Sequence, residues 1–143
     1  MTEKITIGID PGASTGFAIL QGGLLVGLMT IEPHQIEAHL TAWQPVRVVY
    51  EDSRLQSHVW TGATSKAATA KMSRNIGEVD AWCKLIVAVC AKLGINCHGI
   101  SPKGKGAKLN AAQFAAMTGW KGTSNAHERD AAAVAWPYRR AAA

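Results

Sequence analysis

The chain has 143 residues, is 48% hydrophobic and 17% charged, and carries a formal net charge of +5. That length and composition suit one compact domain over residues 1–143 and exclude a disordered tail. No apolar run reaches the roughly 20 residues of a membrane span, and the N-terminus has no signal-peptide pattern, so a cytoplasmic protein without a membrane partner is expected. The charge is unevenly spread. Residues 1–53 hold two basic and six acidic side chains, and residues 54–143 hold thirteen and four. An acidic site beside a basic surface suits an enzyme that holds cations and a polyanion together.

In chain order, residues 4–9 alternate and are β-branched, which predicts a strand, and Asp10-Pro11-Gly12 forces a turn. Residues 16–20 and 24–31 read as two more strands, joined by a hairpin at Gly22-Gly23. Pro33 opens a helix expected over 33–43, with Ile36, Leu40 and Trp43 on one face. The apolar run 46–50 predicts a central parallel strand. A long helix is expected over about 67–93. Its broad stripe holds Ile76, Val79, Cys83, Ile86, Val87 and Cys90, with Trp82 beside it, and Gly94 ends it. Residues 95–100 make a fifth strand. Helices follow over 110–117 and from 125 to 136, where Pro137 ends the last. This order predicts an α/β fold with a mixed five-stranded sheet and helices on both faces. Cys83, Cys90 and Cys97 include no CxxC pair and read as small buried hydrophobes.

Asp10 and Glu51 end the first and fourth strands, where open α/β sheets place ligands. Two carboxylates that close repel unless a cation lies between them or one is protonated, and oxygen ligands of this kind select Mg²⁺ or Mn²⁺. His127 and Asp130, three apart, share one face of the last helix, which faces the sheet if Ala131, Val134 and Ala135 pack inward. Together the four could hold two metals about 4 Å apart, an arrangement suited to phosphodiester cleavage. Singly, each has a plainer reading as a turn, strand-end or surface residue. Asn125-x-x-Glu128 reads as a capping box.

With these motifs in place, the sequence resembles the RuvC Holliday-junction resolvases of the ribonuclease H-like superfamily, from about Lys4 to Ala135. IGIDPGASTGFAI, VVYED, PKGKGAK with LNAAQFAAMTG, and NAHERDAAAVA carry the resemblance. It implies a strand order 3-2-1-4-5 with strand 2 antiparallel. It implies Asp10, Glu51, His127 and Asp130 as ligands of two Mg²⁺ ions, with Mn²⁺ able to substitute, and Asp10 bridging both. Lys108, with Lys103 or Lys105, falls where the family has basic residues at phosphates. The implied activity is paired symmetric nicking of four-way DNA junctions by a homodimer, with the long helix supplying much of the interface. His127 stands where many members have aspartate. The short chain suits a bacteriophage-encoded form.

Residues 54–74 hold Arg54, His58, Trp60, Lys66, Lys71 and Arg74 and no acidic residue, which predicts a DNA-facing segment. Trp60 is read either as a stacking platform for an unpaired base or as a cap on the core edge. Arg139 and Arg140 are expected to form a solvated tail. Three rivals stand beside the resolvase reading: a YqgF-like nuclease acting on RNA, a branched-DNA-binding module that does not cut, and an actin-like ATPase fragment. The last would need a second phosphate loop and a second domain.

Overall fold

Alternating β-branched residues build β1 (Ile5–Asp10), which pairs antiparallel with β2 (Thr15–Gln21). The structure is a computed structural model that describes residues 3–55, 65–104 and 106–140. β2 turns into β3 (Leu24–Ile31) through Gly22 and Gly23, whose φ values of 61° and 84° suit a two-residue hairpin that other residues adopt at a cost. A 3₁₀ turn at Pro33–Gln35 precedes α1 (Ile36–Trp43), where one continuous helix was expected. Gln35 Oε1 accepts from the Glu32 N–H at 2.9 Å and tightens that first turn. β4 (Arg47–Glu51) and β5 (Asn96–Ile100) complete a sheet of order β3-β2-β1-β4-β5, with β1, β4 and β5 parallel. The mixed α/β sheet and its order are those expected.

Helices cover both faces. One face, bearing Ile7, Ile9, Phe17, Val48 and Tyr50, packs on α1 and α2 (Lys66–Leu93). The other, bearing Ala18, Leu20 and Val49, packs on Phe114 of α3 (Ala111–Thr118) and on α4 (Ala126–Ala135). α2 is two-sided in length as well as in face. Residues 66–75 are exposed all round, and burial comes only at Cys83, Ile86, Val89 and Cys90. Val87, expected in the stripe, is 39% exposed, and Val89 takes its place. At about 100° per residue, Val87 falls well around the helix from Ile86. Cys83 and Cys90 are buried small side chains, as expected, and burial pushes the Cys83 thiol up.

Of the two C-terminal arginines expected in a solvated tail, Arg140 is exposed but Arg139 folds back. After a 3₁₀ turn at Trp136–Tyr138, the Arg139 guanidinium lies 4.0 Å over the Trp136 ring and donates to the Trp136 carbonyl at 2.8 Å. Stacking on an aromatic face and a carbonyl that also accepts from the Arg139 N–H at 3.2 Å hold it there. Arg140 lies against Gly23 of the hairpin.

Two features position the strand ends. The first is the seat of α4. A Cβ on Gly8 would run into the Ala131 carbonyl oxygen, and one on Gly16 into that of His127. The missing side chains let the helix backbone rest on the sheet, and Ala131, Ala132 and Ala135 are small enough to follow. The second is a clamp beyond β4. The buried Asp52 accepts from Arg54 Nε at 2.9 Å, Arg54 Nη2 at 2.9 Å and the Tyr50 hydroxyl at 3.1 Å, while its own N–H donates to Ile100 at 2.8 Å. Ser53 Oγ donates to Asp80 of α2 at 2.7 Å. The Arg54 hydrogen bonds hold the Asp52 carboxyl below the usual carboxylate range, against the opposing effect of its burial. Burial, with Asp52 beside it, pushes the Tyr50 hydroxyl up.

Gly8→Ala and Gly16→Ala should each lower the unfolding free energy in urea by about 1–3 kcal/mol, because neither backbone oxygen can step aside cheaply. Gly77→Ala, mid-helix with nothing within 4 Å of its added Cβ, should be neutral or stabilising by up to about 1 kcal/mol. Equal losses at all three sites would sink this account of the seat. Asp52→Asn should cost about 2 kcal/mol at neutral pH. Because the folded carboxyl titrates below its unfolded value, its stabilisation is complete above about pH 4 and fades as pH falls through the lowered folded value. The variant's unfolding free energy should therefore depend less steeply on pH in the acid limb, and an unchanged acid limb would rule the clamp out.

Candidate metal centre

Side chains alternate along a strand, so Gly8 and Asp10 of β1 share the face that α4 covers, as do Val49 and Glu51 of β4. β1 and β4 run parallel in a register that pairs Ile9 with Tyr50. Asp10 and Glu51 are the next residues along, on neighbouring strands about 4.8 Å apart. The turn after β1 is held by Thr15 Oγ1, which donates to the Gly12 carbonyl at 2.7 Å.

The first turn of α4 meets this edge. His127 Nδ1 lies 3.2 Å from Asp10 Oδ2. One turn on, Asp130 Oδ2 lies 3.4 Å from Lys108 Nζ. The Asp10 and Asp130 side chains are 18% and 13% exposed, whereas His127 and Lys108 are 52% and 74% exposed. The carboxylates are therefore walled in, and their cationic or basic partners approach from the open side. The structure thus brings Asp10 and His127 into contact, pairs Asp130 with Lys108, and sets Glu51 on the strand beside Asp10. Among the described residues, no three of the His, Cys, Asp and Glu side chains are gathered closely enough to cage an ion. The donor types, a strand-end carboxylate facing an imidazole with further carboxylates at the same edge, suit Mg²⁺ or Mn²⁺.

The helix carrying His127 and Asp130 is itself pinned by a residue that sequence reading missed. Asp10, Gly16 and Thr30 form a row across β1, β2 and β3. At its far end Thr30 Oγ1 accepts from Asn125 Nδ2 at 2.7 Å and donates to Glu128 Oε2 at 3.3 Å. Asn125 and Glu128 form the expected capping box, so the row grips the box that starts α4. Arg129 adds a second tie, donating to the Leu109 carbonyl at 3.0 Å and the Ser124 carbonyl at 2.8 Å. A lone threonine on an edge strand gives no motif, and only its register opposite Gly16 reveals it.

The basic residues expected at DNA fall into three groups. Arg54 is committed to Asp52 and Tyr50. Lys66, Lys71 and Arg74 lie on the fully exposed start of α2, where Lys71 and Arg74, three apart, share a face. Lys103 is exposed in the 3₁₀ turn at Pro102–Gly104. Trp60 and Lys105, with His58, lie outside the described residues.

No protein-family model and no curated protein matches the sequence. Solved structures do match. Thermus thermophilus RuvC in complex with a Holliday junction substrate aligns with a TM-score of 0.62 at 16% identity, covering 93% of this chain and 90% of that one. The structure of Thermus thermophilus RuvC aligns with a TM-score of 0.59 at 16% identity, covering 92% and 91%. With the same strand order and helices on both faces, the chain has the RuvC-like form of the ribonuclease H-like fold.

Proposed function

We propose that this protein is a metal-dependent endodeoxyribonuclease that resolves four-way DNA junctions by paired nicks. The observation that carries this reading is the Asp10–His127 contact at 3.2 Å. It joins the end of the first strand to the last helix at one edge of a RuvC-like sheet. A structural neighbour solved with a Holliday junction supports the choice of substrate. In this reading Asp10, Glu51, His127 and Asp130 would hold two Mg²⁺ or Mn²⁺ ions, which would supply an activated water and charge stabilisation on the leaving oxygen.

The chain's own residues do the rest. Asp10, walled in on the sheet side and in contact with His127, ties the strand end to the last helix. Lys108, on a largely exposed side chain, exchanges Asp130 for a phosphate oxygen at little cost, since exposed ion pairs are weak. Lys103 or Lys105 neutralises a neighbouring phosphate. Lys66, Lys71 and Arg74 reach DNA from the exposed start of α2, and Trp60 stacks on a base at the junction centre. Arg54 acts through the clamp that holds the segment after β4, and any DNA contact it makes requires leaving Asp52. Two nicks on opposed strands need two such sites, hence a homodimer in which the partly apolar flank of α2, with Met72 and Val87 exposed, meets its copy. No helix among the described residues is long and apolar enough to cross a membrane. The reading places the protein with DNA in the cytoplasm of a bacterial or phage-infected cell.

Asp10→Asn should cut four-way junctions at under about 1% of the wild-type rate with Mg²⁺ or Mn²⁺. Its junction affinity should be unchanged. Equal cutting by both proteins would remove Asp10 from the chemistry. Wild-type preference for structured RNA over junction DNA would favour the RNA nuclease, and binding without cutting would favour a branched-DNA-binding module. Sedimentation at micromolar concentration should give twice the 15.2 kDa chain mass, and a monomer there would end the paired-nick scheme.

A further inference from the structure

The face of α4 that carries the candidate ligands does not end with them. From Asp130 onward, Ala133 of the same helix and Trp136 and Pro137 of the turn after it line one continuous surface. Where Asp130 leaves off, a cavity of about 320 Å³ opens, lined by Lys108, Leu109, Met117, Asp130, Ala133 and Trp136. Its walls are apolar and aromatic. Its charged lining residues are Arg129, tied to the Leu109 and Ser124 carbonyls, and the pair Lys108 and Asp130, which also borders the metal centre. The Trp136 ring is held in place by Arg139 stacked on it at 4.0 Å, and the Met117 side chain is 39% exposed with a soft sulfur to offer a flat ring.

Resting on the nuclease reading above, we propose that this cavity receives an unstacked DNA base next to the cut phosphate. Three observations converge on that occupant. The cavity is lined at its near end by Asp130 itself, so it adjoins the candidate ligands within about one nucleotide step along a strand. Lys108 at the rim supplies the positive charge that a backbone phosphate requires on either side of the base. The wall chemistry, an indole, a thioether and small aliphatics, binds π-faces rather than backbone, and the volume suits one heteroaromatic ring with its sugar. An apolar pocket of this shape discriminates bases by size and by methyl contact. It would therefore give the enzyme its preference among cut sequences without a hydrogen-bonding code.

The test uses Ala133→Leu, which fills the cavity and replaces none of the four candidate ligands. Four-way junctions carry each of the four bases, or an abasic residue, on either side of the cut phosphate. In a second set 2-aminopurine stands at the same positions. Wild type should discriminate among flanking bases by about tenfold in kcat/KM, and 2-aminopurine on one side should brighten on binding as it leaves the stack. Ala133→Leu should cut every flank at rates within about twofold, with a dim 2-aminopurine signal and an unchanged melting temperature. If discrimination and brightening persist in Ala133→Leu, or if wild type shows neither while cutting junctions, the pocket assignment is overturned and the nuclease reading stands. If wild type brightens 2-aminopurine and Ala133→Leu does not, yet neither protein cuts, the pocket stands and the nuclease reading falls. A variant that melts early is replaced by Ala133→Val, judged by the same outcomes.

Discussion

The close seating of α4 on β1 and β2 is the constraint on which the candidate centre depends. Gly8 and Gly16 remove the two side chains that would otherwise hold the helix off, and the alanines at 131, 132 and 135 let it settle. Glycine inside a strand weakens it by about 0.5–1 kcal/mol relative to alanine. Here that cost is offset by packing at interior density, and it brings a functional contact. The carbonyl that lies over Gly16 belongs to His127, the residue whose imidazole meets Asp10. Packing geometry and site geometry are therefore one fact: anything that lifts the helix by a methyl group also moves His127 from Asp10.

The rest of the edge is organised around that seat from both sides. Thr30, opposite Gly16 on β3, grips the capping box of α4 and limits how the helix can turn about its axis. Beyond β4, Asp52 ties Tyr50, Arg54 and the end of β5 together, which stiffens the backbone next to Glu51. The two acidic–basic pairs of this region play opposite parts because their burial differs. Asp52 is nearly out of water and satisfied by several donors, so its pairing is structural. Lys108 stands in water and holds Asp130 loosely, so its charge is available to an incoming anion.

Much of this was legible from residues alone, and the reasons are local. Period-2 and period-3.6 patterns gave the five strands and four α-helices. Asp10 and Glu51 could be picked out because each ends a strand, and His127 and Asp130 because they stand three apart on the last helix. The capping box at Asn125 and Glu128 and the stop at Gly94 are short-range chemistry that the chain carries openly. What failed to show were matters of rotation and long-range partnership. Val87 and Val89 differ only in where the helix turns them, Arg139 only in whether the chain folds back onto Trp136, and Arg54 only in having Asp52 and Tyr50 within reach.

The sequence by itself determined the elements, the mixed sheet with helices on both faces, and the acidic and basic character of the two ends of the chain, because these follow from backbone preference and side-chain periodicity. Only the tertiary structure decided which polar residues meet. Asp10 and His127 are 117 positions apart, and no pattern along the chain links them. Their meeting depends on two glycines whose role is visible only from the carbonyl oxygens they admit.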